Sequence, residues 1–481
     1  MNKKLTSAVS LALIFAFLLV SCQGSQSPSD SNNSGASDGT DTTSPAVSRL
    51  DELGERDFGG ADFVILDANG SPSLHTNIPG DESNGEIIND GLIERDRKIS
   101  DMYNVNIRYV QIPNASEGAS TLRSSVMAGE REYNLIFSTI SGSSLGTLAT
   151  EGILANLCDI GTLSLDREWW SPLIYENCRI SGRMYYTGGD IAPSIYCAPA
   201  CIYANQLLLN DYKIDIEEIY DKVEAGEWTL DYMNTLAGEL DRDLNSDGKL
   251  ILADDFFGIL NENNGLTAAA FMAGSGVKLS EISGNAITCN LSSEHSFDVI
   301  EKLSSILLNV NYSGNELHEA FMNDRAVFMM HYVSSSYSRY RDMKSDFLIL
   351  PIPKYDENQS TYNSLVNTWC NSFVGIPTNA DPDITGFITE ALAYESHESV
   401  RPLVYDLSFK NKGARNERDS DMLDIIFDSL YLDFNSFMDF GGVLSILANS
   451  IFKGADFASG YASVSEKITA AAEQFVEEWT K

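Results

Sequence analysis

The chain has 481 residues, a formal charge of −37, 43% hydrophobic residues and 10% aromatic ones. That length supports two or three domains with full cores, and the composition is globular rather than disordered. The acidic surplus excludes nucleic acid and anionic membrane surfaces as partners drawn by charge.

Asn2, Lys3 and Lys4 give a short basic start, and Ala8 to Val20 is apolar apart from Ser10. This run is too short to span a bilayer and has the length of a signal-peptide core. Leu19-Val20-Ser21-Cys22 resembles the bacterial lipobox, in which the Cys thiol receives a diacylglyceryl group and the chain is cut before it. The expectation is a lipoprotein signal at 1–21, a Cys22 anchored by acyl chains outside the cytoplasm, and no later span. An ordinary secretory signal or an uncleaved anchor are the alternatives. Residues 22–57 form the tether; 23–48 are Ser, Asp, Gly, Asn and Thr with almost nothing apolar. Such a segment reaches about 25–30 Å on average.

The globular part starts near Phe58. Ala61–Leu66 reads as a strand, Ile87–Met102 as a helix, Asn104–Val110 as a strand, Ser120–Ala128 as a helix and Tyr133–Ser138 as a third strand. This alternation predicts a parallel sheet with helical crossovers, whose ligands sit beyond the carboxyl ends of the strands. Those ends are Asp67–Ser71 and Thr139–Gly142. Seven cysteines are widely and irregularly spaced, which favours buried thiols over a disulfide framework. The five histidines contain no H-x-x-x-H pair, which argues against a transition-metal site.

A series of phrases follows in fixed order. Tyr133–Leu157 runs from a strand through a small-residue loop into a helix ending in Gly-Ile-Leu. Gly182-Arg183-Met184-Tyr185-Tyr186 leads to Cys201-Ile202-Tyr203-Ala204-Asn205. Then come Glu227-Trp228-Thr229-Leu230, Glu319–Met330, Asp346–Lys354 and Phe373–Pro377. With the lipobox and the Ser-rich tether, this order resembles the extracellular solute-binding proteins of ABC importers, family 1, the sugar-binding type. Asn323-Asp324 stands where that family has a Gly, and His331–Ser334 lacks its frequent Gly-Pro-Trp.

The resemblance implies a two-lobed α/β fold of the type II periplasmic-binding class, with three crossovers near Thr187–Tyr196, His331–Ser334 and Ile376–Asn379. The first lobe would be 58–188 and 335–376. The second would be 196–330 and 380–481, wrapped by a helical C-terminal tail. It also implies a non-enzymatic, monomeric receptor that hands a carbohydrate to permease subunits in the membrane. A receptor for a peptide or other small solute, a surface glycoside hydrolase and an adhesin are the alternatives. The chain shows no G-x-S-x-G, H-E-x-x-H, G-x-G-x-x-G or P-loop.

Two sites are expected. A sugar needs flat apolar faces and bidentate polar groups, and Asn69, Ser71, Thr139, Ser141, Tyr196, His331, Tyr332, Trp369 and Asn371 fall at strand ends and crossovers. Trp228 and the Trp169-Trp170 pair read as core. Separately, Asp243–Asp254 fits D-x-[DN]-x-[DN]-G-x5-E with Asp in the last place. Asp243, Asn245, Asp247, the Lys249 carbonyl and Asp254 would hold a structural Ca²⁺, and no other cofactor is required. An acidic turn without an ion is the alternative.

Overall fold

Short apolar runs alternating with amphipathic stretches set the elements of a computed structural model, which describes residues 48–69, 77–140, 144–308, 313–369, 371–405 and 416–481. Cys22, the tether up to Val47, Ser71, Ser141 and Cys370 lie outside the described residues. The strands in chain order are β1 (Ala61–Asp67), β2 (Val105–Gln111), β3 (Leu135–Ser138), β4 (Tyr186–Thr187), β5 (Ala200–Asn205), β6 (Phe257–Leu260), β7 (Glu281–Ser283), β8 (Ala286–Thr288), β9 (Ala326–Tyr332), β10 (Phe347–Pro351), β11 (Ser364–Leu365), β12 (Phe373–Gly375) and β13 (Leu430–Tyr431).

The first sheet has the order β2-β1-β3-β12-β4. β2 and β3 flank β1 in parallel, as the alternation predicts, with Phe63 opposite Ile107 and Leu66 opposite Ile136. The Ile87–Tyr103 helix buries Leu92, Arg95, Asp96, Ile99 and Tyr103 at helical spacing and stops at Asn104, at φ 48°. Asparagine tolerates that left-handed conformation better than most residues. The second crossover helix, Ala115–Ala128, starts five residues before the expected Ser120 because the Asn114 side chain accepts from the Glu117 amide and caps it. A Cβ on its Gly118 would lie 2.1 Å from Ala68 Cβ, so only glycine lets this helix approach the end of β1.

The second sheet has the order β10-β5-β9-β6, with β5 antiparallel to both neighbours and β6 parallel to β9. Every residue of β5, β6 and β10 is buried, so helices cover both faces. Asp324, the second residue of the Asn323-Asp324 pair, adopts φ 58° and accepts from Asn205 Nδ2 at 2.7 Å. That bond holds a non-glycine residue in a left-handed turn.

The α/β fold with two sheet-bearing lobes matches the expectation, and the chain passes between the sheets three times. The positions of the second and third passages differ from it. The chain does not leave the second lobe at His331–Ser334, because Phe347–Pro351 pairs with β5, placing Leu350 opposite Ile202. It returns between Pro351 and Phe373. Ile376–Thr378 then stays on the first lobe, where the Ala155 amide donates to Ile376 O and the Thr378 amide to Ile153 O. The Pro382–Glu395 helix also packs there, burying Phe387, Ile388 and Leu392 beside Phe63, Ile65 and Ile99. The third passage follows Glu395, and the chain reappears in the Glu417–Asp428 helix against β10, where the Ile349 amide reaches Asp419 Oδ1 at 3.3 Å. A fully buried strand such as Phe347–Pro351 carries no polar alternation to say which sheet receives it.

The last helix, Ser465–Trp479, reaches back to the first lobe. Trp479 is fully buried against Tyr185, Tyr186 and Phe475, and Tyr185 OH donates to its carbonyl at 3.0 Å. Trp479→Ala is expected to destabilise the protein by about 3–5 kcal/mol, the cost of truncating a buried Trp. Equilibrium urea unfolding checks this.

Candidate functional site

The first passage, Gly188 to Pro199, is the structural partner of both others. The Val333 amide donates to Pro199 O and the Asn367 amide to Ala198 O, each at 2.9 Å, so this segment lies between the end of β9 and the second passage. Ser194 is the polar centre. Its amide donates to Asn77 Oδ1 at 3.0 Å, its Oγ donates to Asn371 Oδ1 at 3.2 Å, and it accepts from the Ser372 amide at 2.9 Å. Asn77 Nδ2 donates to Ser372 Oγ at 2.5 Å. All four side chains are buried.

β3 delivers Ser138 and Thr139 to the same place, since Ser138 lies opposite Phe373 at the start of β12. β1 delivers Asn69, because the Ala68 amide donates to Phe137 O at 2.8 Å and carries the chain past the end of β3. The result is a polar surface at the carboxyl ends of β1 and β3. Several of its buried atoms make no hydrogen bond: Asn69 Oδ1 and Nδ2, Ser138 Oγ, Thr368 Oγ1 and Asn371 Nδ2. Leaving a buried polar atom unpaired costs about 1–3 kcal/mol, so water or ligand hydroxyls are the natural partners here. Nearby, burial pushes the Asp67 carboxyl up to about 6, against hydrogen bonds from Asn69 and Gln111 that act the other way. Trp369 follows Thr368 with 53% of its surface exposed, while Trp169, Trp170, Trp228 and Trp479 are all buried, as the reading of Trp169, Trp170 and Trp228 as core expects.

The expected ligand residues therefore separate. Asn69, Thr139, Trp369 and Asn371 belong to this surface. Tyr332 is buried at the end of β9, opposite Ala200. His331 is half-buried and faces His318 rather than the crossovers, with ring centroids 4.6 Å apart. Burial holds both imidazoles neutral, His318 at about 4 and His331 well below the usual histidine value. Tyr196 turns away into a hinge cluster, where its hydroxyl donates to Asp190 Oδ1. Sequence reasoning missed Asn77, Ser194, Thr368 and Ser372. Polar residues in loops carry no periodic signal, and their convergence needs three separate passages of chain.

Asp190 joins the first passage to the third. It is buried, and His397 Nδ1 lies 2.6 Å from Asp190 Oδ2. That bond raises the His397 pKa, with Arg401 opposing and Glu168, 3.8 Å from Nε2, assisting. Buried Arg95 makes a second tie, donating to Ile191 O at 3.3 Å and Ser396 Oγ at 3.1 Å. A raised histidine pKa stabilises fully below the unfolded value near 6.5, and that stability is lost as pH rises through the folded pKa. His397→Gln is expected to lower stability by about 1.5–3 kcal/mol at pH 5.5 and by less at pH 8.5. Thermal unfolding of both proteins across that range checks this.

The Asp243 loop lies apart, on the surface of the second lobe. Asp243 accepts from the Ser246, Asp247 and Gly248 amides, Asn245 from Asp247 and Asp247 from Lys249. Ser246 at φ 61° and Gly248 at φ 80° make the turn. The carboxylate that reaches back to close the loop is buried Asp255, which accepts from the Leu244 and Ile251 amides; Asp254 is exposed.

No protein-family model matches the chain, and no curated protein sequence does. Solved structures do. An ABC substrate-binding protein from Listeria monocytogenes, in complex with cycloalternan, superposes with a TM-score of 0.55 at 10% identity, over 85% of this chain and 98% of that one. UgpB from Mycobacterium tuberculosis, in complex with glycerophosphocholine, gives 0.55 at 14% identity over 86% and 99%. The GacH receptor of Streptomyces glaucescens, solved unliganded and with acarbose, gives 0.52 at 12% identity over 88% and 99%. These likenesses establish the two-lobed fold of solute-binding proteins.

Proposed function

We propose that the protein is the substrate-binding component of an ABC importer, held to the membrane through Cys22, which captures a carbohydrate between its lobes and delivers it to the permease without making or breaking a bond. The observation that carries this reading is the surface at the ends of β1 and β3. Asn69, Thr368 and Asn371 present buried, unpaired polar atoms there, and the one exposed Trp among the described residues stands on the same loop as Thr368 and Asn371. Amide and hydroxyl groups suit vicinal sugar hydroxyls, and an indole face suits the C–H face of a pyranose. The passages on either side are hinge-like, so a bound solute would favour closure. The fold similarity supports the reading, since two of the compared proteins are solved in complex with cycloalternan and with acarbose.

A thermal-shift screen of residues 49–481 against mono- and oligosaccharides tests it. Ligand at 100 times its Kd adds about 2.7 kcal/mol. One sugar class is expected to raise Tm with no turnover, and Trp369→Ala is expected to weaken that sugar at least ~10-fold, about 1.4 kcal/mol, with Tm of the free protein unchanged. Hydrolysis of the sugar, or affinity unaltered by Trp369→Ala, would count against the site.

Ca²⁺ at the Asp243 loop is a second proposal, supported by the spacing of Asp243, Asn245 and Asp247 and by the left-handed turn at Gly248. Millimolar Ca²⁺ is expected to raise Tm of the chelator-treated protein, and Asp243→Asn is expected to abolish the rise. An equal rise with Mg²⁺ would refute a dedicated calcium loop.

A further inference from the structure

Glu262, His318 and His331 are scattered in sequence but meet in the second lobe. Glu262 follows β6 by two residues, His318 lies on the Asn315–Met322 helix, and His331 is next to last in β9. β6 and β9 run parallel with Leu260 opposite Met329, so Glu262 and His331 leave the same end of the sheet. The helix ending at Met322 leads directly into β9 and lays His318 against His331. One ligand-capable atom from each of the three lies within 4.8 Å of the other two.

The orientation of each group is fixed from outside. His318 Nδ1 is 2.8 Å from Tyr340 OH, and His331 Nδ1 is 2.6 Å from Ser335 Oγ. Those contacts leave Nε2 of each ring for the shared point. Asn264 Nδ2 donates to Glu262 Oε2 at 2.8 Å. An outer hydrogen bond on every ligand is the pattern that sets tautomer and direction in metal centres. The rings stand edge to face at 87°. Packing alone accounts for two neutral imidazoles in that arrangement. It does not account for a carboxylate turned to the same point.

We propose that Glu262, His318 and His331 form a binding site for one divalent ion of the zinc class, with a fourth position left for water or solute. Two imidazoles and one carboxylate suit Zn²⁺, and the neighbouring Co²⁺, Ni²⁺ and Cu²⁺, far better than Ca²⁺ or Mg²⁺, which need more oxygens. Zn–N bonds of about 2.0–2.1 Å require the three groups to draw inward. Glu262 and His331 are half-buried and His318 is buried, so the first two would make the adjustment. The nearby cation Arg339 opposes the ion, but it is exposed and solvent screens its charge. The bound ion would tie the loop after β6, the Asn315–Met322 helix and the end of β9 into one unit. The site goes beyond the carbohydrate reading and does not depend on it.

The test uses the full globular chain, dialysed against chelator, with no sugar present. Calorimetric titration with Zn²⁺ is expected to show one ion per chain. Co²⁺ is expected to develop visible d–d absorption that Zn²⁺ abolishes. Glu262→Gln and His331→Asn are expected to remove saturable binding, and Ser335→Ala to weaken it about 10–100-fold as an outer partner. His295→Asn, outside the group, is expected to leave it unchanged. Near-ultraviolet circular dichroism confirms that each variant is folded. Absence of saturable Zn²⁺ binding by the unaltered chain overturns the proposal, as does binding that persists unchanged in folded Glu262→Gln and His331→Asn.

Discussion

Ser194, Asp190 and the backbone of Ala198 and Pro199 hold the two lobes in register. Ser194 is bonded to Asn77, Asn371 and Ser372, Asp190 to Tyr196 and His397, and Ala198 O to the Asn367 amide. A chain that crosses between two sheets three times has three loops that would otherwise be free to separate. Tying the second and third to the first gives one hinge. Its strength comes from buried hydrogen bonds, which are costly to leave unmade. That asymmetry favours a few discrete arrangements over continuous flexing.

The same constraint explains the position of the polar surface. The ends of β1 and β3 point at the crossovers because β12 inserts beside β3 and starts at Phe373, opposite Ser138. Side chains that would be solvated at the end of an open sheet are instead enclosed by the second passage. Some find partners in Ser194 and Asn77, and others do not. A surface that is enclosed, polar and partly unpaired is poor packing and leaves hydrogen-bonding capacity open to water or a solute.

The second lobe follows a different economy. β5, β9 and β10 are buried along nearly their whole lengths, Trp228 closes one end by donating to Pro351 O at 2.9 Å, and Tyr203 anchors β5 to the carbonyls of Tyr332 and Val333. Glu262, His318 and His331 form a polar group at one end of this sheet, partnered by Asn264, Tyr340 and Ser335.

The βαβαβ start of the first lobe was legible in the residues themselves. The apolar run at Ala61–Leu66, the alternation from Asn104 and the helical spacing of Leu92 and Ile99 identify elements through local sterics and burial, which act within a few residues. Trp228, Trp169 and Trp170 as core follow from the same logic. The lobe boundaries after His331 did not follow, because Phe347–Pro351 and the Pro382–Glu395 helix are apolar enough for either lobe, and only pairing with β5 and contact with Phe63 and Ile65 decide between them. The grouping of Asn77, Ser194, Asn371 and Ser372, the turning of Tyr196 to Asp190, and the meeting of His318 with His331 and Glu262 were likewise settled by tertiary structure. Side chains from distant segments share no period, and what brings them together is the closure of a sheet.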